Sequence, residues 1–455
     1  MRRALILGAL TLVLFTAIGD GLQQQWIAVA NGPNSGAKLS IEEKRYPLSQ
    51  LQEDFNQLRK IIEKRHPKIY VDPQELFGLF ATQYELLRDQ MTELEFYRVL
   101  SPLVGSLRCG HTNLVVSKAY EDYLRKNGRF LPVLIRVIDD RAYVLQDLSG
   151  QGIPAGAEIL MINGQKTADI ISALLPNLTA DGYNTSKKDY LMNHWFNGLY
   201  HYFIDNAAQF TLVYRGTGNE QTVTKTVDGI NNQQLPMTTM SIYYPRGNNL
   251  YTSAFTEDYA LLSIKSFSLR DKKKYRAFID AFFQEVAVKE ISHLILDLRD
   301  NWGGSPYYSS YLLSYLISTP TTYFSEPPFY YAKYKKPIQP AEHRFTGRLY
   351  VLINGASFST TGHLCSLLKS HGIGVFIGEE SGGSYLCTDA SINVTLRHTK
   401  LRLHCATTAF ATTVSNLPPG RGIEPDYRIT PTLQDYLEGT DPQMKLAVQL
   451  IDSAR

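Results

Sequence analysis

The sequence predicts a mixed α/β protein made of three consecutive parts. Residues 48–107 have helical apolar spacing, in which Leu51, Phe55 and Leu58 share one face. From residue 130 onwards the pattern changes to short strands separated by turn residues. Residues 259–430 alternate strands and helices, which is typical of βαβ units around a mainly parallel sheet. A chain of 455 residues is also too long for one ordinary core, so we expect several domains with a cleft between them.

Composition and charge exclude several classes of protein. Hydrophobic residues make up 44% and charged residues 20% of the chain, which is ordinary for a globular protein and argues against long disorder or many membrane spans. The net charge is only +3, so no strong field favours nucleic acid, and we expect no nucleic-acid partner.

The first residues predict export from the cytoplasm. A basic start at Met1–Arg3 precedes an apolar run over residues 4–18, as in a signal peptide. We assign residues 1–22 to a signal peptide or anchor. If it is not cleaved, residues 4–19 would tether the protein to a membrane. The expected location is the periplasm or the cell envelope.

The four cysteines show no spacing typical of a metal site, and no metal is expected. They are Cys109, Cys365, Cys387 and Cys405. Cys387 and Cys405 would form a disulfide if neighbouring strands carry them, and free buried thiols are the alternative.

The first two domains follow from the change in pattern. Residues 45–112 are expected to form a helical cap, with its first helix ending at His66, since a residue before proline disfavours helix. Residues 113–235 are β-rich. Within them, a strand between glycine turns at 153–164 precedes a helical stretch, an order that resembles a PDZ-like domain, with a helical insertion at 181–206. PDZ domains bind extended peptides as an added strand. A plain β-rich spacer is the alternative.

A Gly-Gly turn follows the strand predicted at 293–298. Backbone N–H groups of Gly303 and Gly304 can approach a reacting carbonyl and stabilise its oxyanion, because no side chain intervenes. A tight turn without a ligand is the alternative.

A second strand, at 349–353, ends in a turn of small residues that places Ser359 at the start of a helix. Orphan amides there, including that of Thr360, favour an attacking alkoxide and the oxyanion it produces. An ordinary serine N-cap is the alternative.

These two motifs resemble signatures of the tail-specific, C-terminal processing serine peptidases. The pattern Asp-Leu-Arg-x-Asn-x-Gly-Gly matches residues 297–304, and the second serine of a Ser-x-Ser motif falls on Ser359. A Gly-Glu pair matches Gly378 and Glu379, and Gly-x-Glu-Pro-Asp matches residues 422–426. The resemblance implies a crotonase-like ββα catalytic core over residues 250–435, which cleaves peptides through an acyl-enzyme on Ser359 without a cofactor.

The general base follows from a comparison of two branches of that family. One branch has a lysine shortly after the Gly-Glu pair, where this chain has Ser384. The other has a histidine in a Gly-His-Thr motif, which matches His111. We therefore predict His111 as the base. His363 is a poor candidate because it lies in the helix that follows Ser359.

The group that orients the base is not marked clearly. Candidates are Glu424, Asp426 and Ser384. Without a carboxylate near the imidazole, the imidazolium loses support and activity would be low.

Two other functions are compatible with the fold. A noncatalytic protein would hold a peptide or small apolar ligand in the same cleft. An acyl-CoA enzyme would share the core, but an exported protein would not meet acyl-CoA. We expect a peptide or protein substrate, bound in extended form.

Overall fold

The computed structural model describes residues 40–218, 221–236 and 250–454. The predicted signal peptide or anchor at residues 1–22 lies outside these ranges. Within them, no helix has the length and apolar character needed to cross a membrane.

Helices and strands alternate along the described chain in three regions. The helices are α1 Leu48–Arg65, α2 Pro73–Tyr84, α3 Glu93–Gly105, α4 Lys118–Asn127, α5 Thr167–Leu174, α6 Ser186–Phe203, α7 Lys272–Val288, α8 Pro306–Ser314, α9 Thr360–Ser370, α10 Leu433–Glu438 and α11 Pro442–Asp452. The strands are β1 Arg45–Tyr46, β2 Met91–Thr92, β3 Asn113–Val115, β4 Val133–Ile138, β5 Arg141–Asp147, β6 Glu158–Ile162, β7 Gln165–Lys166, β8 Gln209–Arg215, β9 Thr222–Asp228, β10 Tyr251–Phe255, β11 Ala260–Ile264, β12 His293–Asp297, β13 Arg348–Ile353, β14 Val375–Gly378, β15 Leu386–Asp389, β16 Ile392–Thr395, β17 Arg402–Cys405, β18 Thr408–Ala411 and β19 Tyr427–Arg428.

Helices α1–α3 form the predicted helical region. Helix α1 ends where the sequence indicated, because His66 before Pro67 takes an extended conformation with φ −72° and ψ 134°. Thr92 caps α3 in a reciprocal capping box with Glu95. The apolar residues of these helices pack in one core that also contains Leu403 from β17, which belongs to the third region of the chain.

The middle region is a six-stranded sheet with helices α5 and α6 beside it. Its strands follow the order β4-β5-β6-β8-β9, with β7 paired to β6, and all pairs are antiparallel. The predicted helical insertion is α6, with bounds a few residues inside the expected range.

The central sheet of the third region has the order β10-β11-β12-β13-β14-β19. All pairs from β11 to β19 are parallel, and β10 is antiparallel to β11. Alternate residues of β12 pack in different cores: Leu294 and Leu296 lie with residues of α7, α8 and α9, and Ile295 lies with residues of α11. The carboxyl ends of β12 and β13 therefore lie side by side at one edge.

A small sheet joins the first and third regions. Strand β3 pairs antiparallel with β17, and Leu114 lies opposite Leu403. Strand β17 also pairs antiparallel with β16. Since β3 begins two residues after His111, this pairing fixes the histidine loop against the third region.

Candidate active site

The turn after β12 is built by buried polar side chains. Asp297 accepts a hydrogen bond from Arg299 Nε at 2.9 Å, and Arg299 reaches on to Asp441. Asn301, fully buried, donates from Nδ2 to the carbonyl of Ile264 and accepts the N–H of Gly303, each at 2.9 Å. In this chain, Asp297, Arg299 and Asn301 therefore hold the turn that carries the glycines.

The two glycines allow the turn to approach Ser359. Gly303 and Gly304 have φ values of 88° and 138°, which favour glycine. A Cβ on Gly303 would lie 2.8 Å from both Ser359 Cβ and Thr360 N, and one on Gly304 would lie 2.2 Å from Phe267 C. A side chain at Gly303 would push the turn away from Ser359, and one at Gly304 would push it away from Phe267.

Ser359 lies at the junction of β13 and α9 in a strained conformation, with φ 56° and ψ −124°. The preceding Ser357 is structural, because its hydroxyl donates to the carbonyl of Leu298 at 2.8 Å and accepts the N–H of Asn354. Thr360 Oγ1 donates to the carbonyl of Gly304 at 2.5 Å, so the helix start and the Gly-Gly turn are joined directly.

His111 meets Ser359 from the other side of the cleft. Its Nε2 lies 2.9 Å from Ser359 Oγ, and its ring stacks on Phe358 at 4.6 Å between centroids. The loop that carries it is held by Thr112, whose Oγ1 accepts the N–H of Ala406, and by Cys109, whose Sγ lies 2.8 Å from Thr388 Oγ1. These contacts hold the imidazole within hydrogen-bond distance of the Ser359 hydroxyl.

His111 and Ser359 line one cleft of about 530 Å³. Part of its lining comes from the sheet of β3, β16 and β17. The residues of that sheet at the cleft are Asn113, Val115, Asn393, Arg402 and His404.

Comparison with known proteins identifies the third region. Residues 258–429 match the model of peptidase family S41. This chain carries a peptidase family S41 domain. The match confirms the predicted resemblance and the serine peptidase class, and peptides or proteins are the substrates that the S41 domain implies.

Two solved structures of mature CPAF confirm the fold class of this chain. Mature CPAF is 16% identical, with a TM-score of 0.65 over 89% of this chain and 98% of that chain. Mature CPAF complexed with lactacystin is also 16% identical, with a TM-score of 0.63 over 89% and 99% of the two chains. A photosystem II D1 C-terminal processing protease is 15% identical, with a TM-score of 0.43 over 85% and 96%. No curated protein sequence matches the chain.

The three residues predicted as candidates for orienting the base lie in other surroundings. Glu424 pairs with Arg421 and Arg428 at the surface, and Asp426 pairs with Lys369 at 2.5 Å. Ser384 is buried, and its hydroxyl has no hydrogen-bond partner in the described structure. The structure records no hydrogen bond from any of the three to His111.

His363 is a buried residue between aromatic rings. Its ring packs near Tyr323, Phe324 and Phe410, and both of its nitrogens lack hydrogen-bond partners within the described residues. Burial lowers its pKa to about 3, with a smaller contribution from His111. It is therefore neutral at physiological pH and has no contact with Ser359 Oγ.

Two charged residues beside His111 were missed by sequence reasoning. Asp181 is buried, and its Oδ1 accepts the N–H of Gly110 at 2.6 Å. Lys187 is fully buried, and its Nζ donates to the carbonyls of Thr179 and Gly110 at 2.8 and 3.4 Å. They lie before and at the start of α6, where no catalytic motif marks them. The only signal was their charge within a stretch that is otherwise helical and aromatic.

Proposed function

We propose that the chain is an exported serine peptidase in which Ser359 is the nucleophile and His111 is the general base. The observation that carries this proposal is the 2.9 Å separation of His111 Nε2 and Ser359 Oγ. A neutral imidazole at that distance can accept the hydroxyl proton as the oxygen attacks.

The reaction proceeds in two halves. Ser359 Oγ bonds to the carbonyl carbon of the substrate while its proton passes to His111 Nε2. The tetrahedral intermediate collapses, the C–N bond breaks, and Nε2 returns the proton to the leaving amine. Water then attacks the acyl-enzyme and gives a proton to Nε2. The second tetrahedral intermediate collapses, the bond between Ser359 Oγ and the acyl carbon breaks, and Nε2 returns the proton to Ser359 Oγ as the acid leaves.

The oxyanion is bound by the N–H groups of Gly304 and Thr360. The N–H of Gly303, also predicted for this role, donates to Asn301 Oδ1 and is therefore occupied. The carbonyl of Gly303 and the N–H of Ser305 both bond to Phe267, which directs the N–H of Gly304 away from that residue. Such a donor contributes about 3–4 kcal/mol to transition-state stabilisation.

Histidine rather than lysine supplies the base. A lysine does lie near, since Lys187 Nζ is 4.4 Å from the centroid of the Phe358 ring. Its hydrogen bonds, however, go to backbone carbonyls, and within the described part of the chain only His111 lies at hydrogen-bond distance from Ser359 Oγ.

An extended peptide is the substrate form that suits the cleft. One wall is the face of a sheet, along which Asn113, Asn393 and His404 lie in register across three strands. The middle sheet with α5 would serve as the PDZ-like module that binds the peptide chain. Export rests on the basic and apolar start of the sequence.

Peptide hydrolysis by the purified protein tests the catalytic assignment. Ser359→Ala and His111→Ala should each reduce kcat/KM by at least about 10³-fold, because the pair acts as a unit. Ser310→Ala, at a partly exposed helix position, is the matched control and should leave activity unchanged. Peptide binding without hydrolysis by the wild type would favour the noncatalytic binding protein instead.

Cell fractionation tests export. The mature protein should appear in the envelope or periplasmic fraction, with a new N-terminus near residue 22. A full-length protein in the cytoplasmic fraction would contradict this part of the proposal.

A further inference from the structure

The catalytic pair leaves one nitrogen of His111 unexplained. Its Nδ1 is buried and has no hydrogen-bond partner among the described residues, although Nε2 contacts Ser359. In a Ser-His pair, the N–H at this position needs an acceptor that fixes the tautomer and supports the imidazolium.

Asp181 has an unused carboxylate oxygen beside the same loop. Its Oδ1 is bonded to the N–H of Gly110, the neighbour of His111, at 2.6 Å. Its Oδ2 is buried and also lacks a partner within the described part of the chain. Asp181 therefore carries an unsatisfied buried acceptor and is bonded to the residue next to His111. His111 in turn carries an unsatisfied buried nitrogen.

Lys187 supplies a positive charge to the same buried space. Its Nζ bonds to the carbonyl of Gly110, whose N–H is held by Asp181. Burial lowers the pKa of Lys187 to about 8, an effect that Asp181 opposes. Burial raises the pKa of Asp181, and both His111 and Lys187 oppose that rise. The lysine thus favours the carboxylate form of Asp181 in a site that water does not reach.

We propose that Asp181 is the positioning residue of the catalytic histidine, with Oδ2 accepting the Nδ1–H of His111 when substrate is bound, and that Lys187 keeps Asp181 ionised. This inference rests on the Ser359–His111 mechanism proposed above. It assigns the orienting role to a carboxylate in the segment before α6 rather than to Glu424, Asp426 or Ser384.

Asp181 takes up no proton in this mechanism. The Ser359 proton moves to Nε2, Nδ1 keeps its own proton, and the negative charge of Asp181 stabilises the imidazolium between the two transfers. Catalytic hydrogen bonds are often long in a substrate-free enzyme and shorten in the complex, which accounts for the unpaired Nδ1 and Oδ2.

Other groups also face this pair. The ones that interact electrostatically with Asp181 or His111 are Tyr70, Cys109, Lys187, His363, Cys387, Asp389 and His404. Among the described residues, Lys187 and His111 are the cationic side chains that lower the pKa of Asp181. Variants at Asp181 and Lys187 therefore test the proposal without altering the other groups.

The test is the pH dependence of kcat/KM for peptide hydrolysis by wild type and Asp181→Asn. The asparagine keeps an acceptor for the Gly110 N–H, so the loop stays in place. We expect kcat to fall by about 10³–10⁴-fold. Loss of the Asp181 charge should also move the acidic limb of the kcat/KM profile to lower pH, because a negative charge favours the protonated form of a neighbouring base. A similar KM is expected, since Asp181 does not line the cleft.

Lys187→Met is the second variant. It should leave Asp181 protonated over a wider pH range, so activity should fall and recover as the pH rises. In the Asp181→Asn background, Lys187→Met should have no further effect on the acidic limb. If Asp181→Asn loses activity but the acidic limb of its kcat/KM profile does not move, the role of Asp181 is merely structural and the proposal is overturned. A wild-type value of kcat in Asp181→Asn would also overturn it.

The outcome for His111→Ala separates this proposal from the mechanism on which it rests. If the His111→Ala variant is active, the Ser-His mechanism itself is wrong. If His111→Ala is inactive but Asp181→Asn is fully active, only the role proposed for Asp181 is wrong.

Discussion

His111 Nε2 lies 2.9 Å from Ser359 Oγ, although 248 residues separate the two in the chain. The contact depends on the pairing of β3 with β17, because β3 follows His111 and β17 belongs to the third region. Ser359 is fixed independently by the strained turn between β13 and α9. The active site therefore exists only when the helical region is assembled on the S41 domain.

Gly110 tests how closely the histidine loop must approach Phe358. A Cβ at Gly110 would lie 2.6 Å from Phe358 Cζ and 3.0 Å from Lys187 Nζ. Because His111 stacks on Phe358, we expect Gly110→Ala to reduce kcat/KM by about 10²-fold, as a misplacement of about 1 Å does. Gly198→Ala is the control, since a Cβ added at Gly198 would have no atom within 4 Å. Steady-state kinetics of both variants check this, and an active Gly110→Ala would contradict it.

Asn301 tests the rigidity of the Gly-Gly turn. Its replacement by alanine frees the N–H of Gly303 and the carbonyl of Ile264, both of which it satisfies at 2.9 Å. We expect Asn301→Ala to lose about 1–3 kcal/mol of unfolding free energy and most of its activity. Asn416 is exposed and accepts a hydrogen bond from Ser370, so Asn416→Ala should change neither the unfolding free energy nor the activity. Denaturant melts with parallel assays distinguish the two, and equal behaviour would refute the role of Asn301.

His363 should make the protein less stable in acid. Its folded pKa is about 3 against an ordinary value of 6.5, so the unfolded chain binds the extra proton between these values. The stability associated with neutral His363 is complete above pH 6.5 and is lost as the pH falls towards 3. His363→Phe should therefore remove about 2 kcal/mol of the destabilisation between pH 8 and 5. Activity should persist, whereas an inactive but folded His363→Phe would give this histidine a catalytic role.

The thiols give a chemical test of the fold. Cys109, Cys365, Cys387 and Cys405 are all buried and free, so the alternative of a Cys387–Cys405 disulfide is not realised. Alkylation in denaturant without a reducing agent should therefore add four labels to the chain, seen by mass spectrometry. Two labels instead of four would show a disulfide and contradict the prediction of four free thiols. A Tm that falls when a reducing agent is added would support the disulfide as well.

The sequence predicted most elements of the catalytic region because its strands are continuous apolar runs with glycine-rich ends. The strand before Asp297 and the turn at Ser359 could be located from local pattern alone. His111 could be proposed only through a resemblance, since an isolated histidine has no periodic signal.

Residues that depend on distant contacts could not be predicted. Asp181 and Lys187 acquire their importance from burial beside Gly110, and nothing in the local sequence indicates that burial. The occupied N–H of Gly303 was missed for a similar reason, because it depends on how the Asn301 side chain folds back. Pairing of β3 with β17 is a contact between strands hundreds of residues apart, for which neither strand carries a local marker.

Labelling with a fluorophosphonate probe tests the Ser359–His111 pair most directly, because it reports the nucleophile without requiring a known substrate. Wild-type protein should be labelled once, on the peptide that contains Ser359, and Ser359→Ala should not be labelled. His111→Ala should react at least about 10²-fold more slowly, since it lacks the base that removes the serine proton. Labelling of His111→Ala at the wild-type rate, or of a serine other than Ser359, would contradict the account.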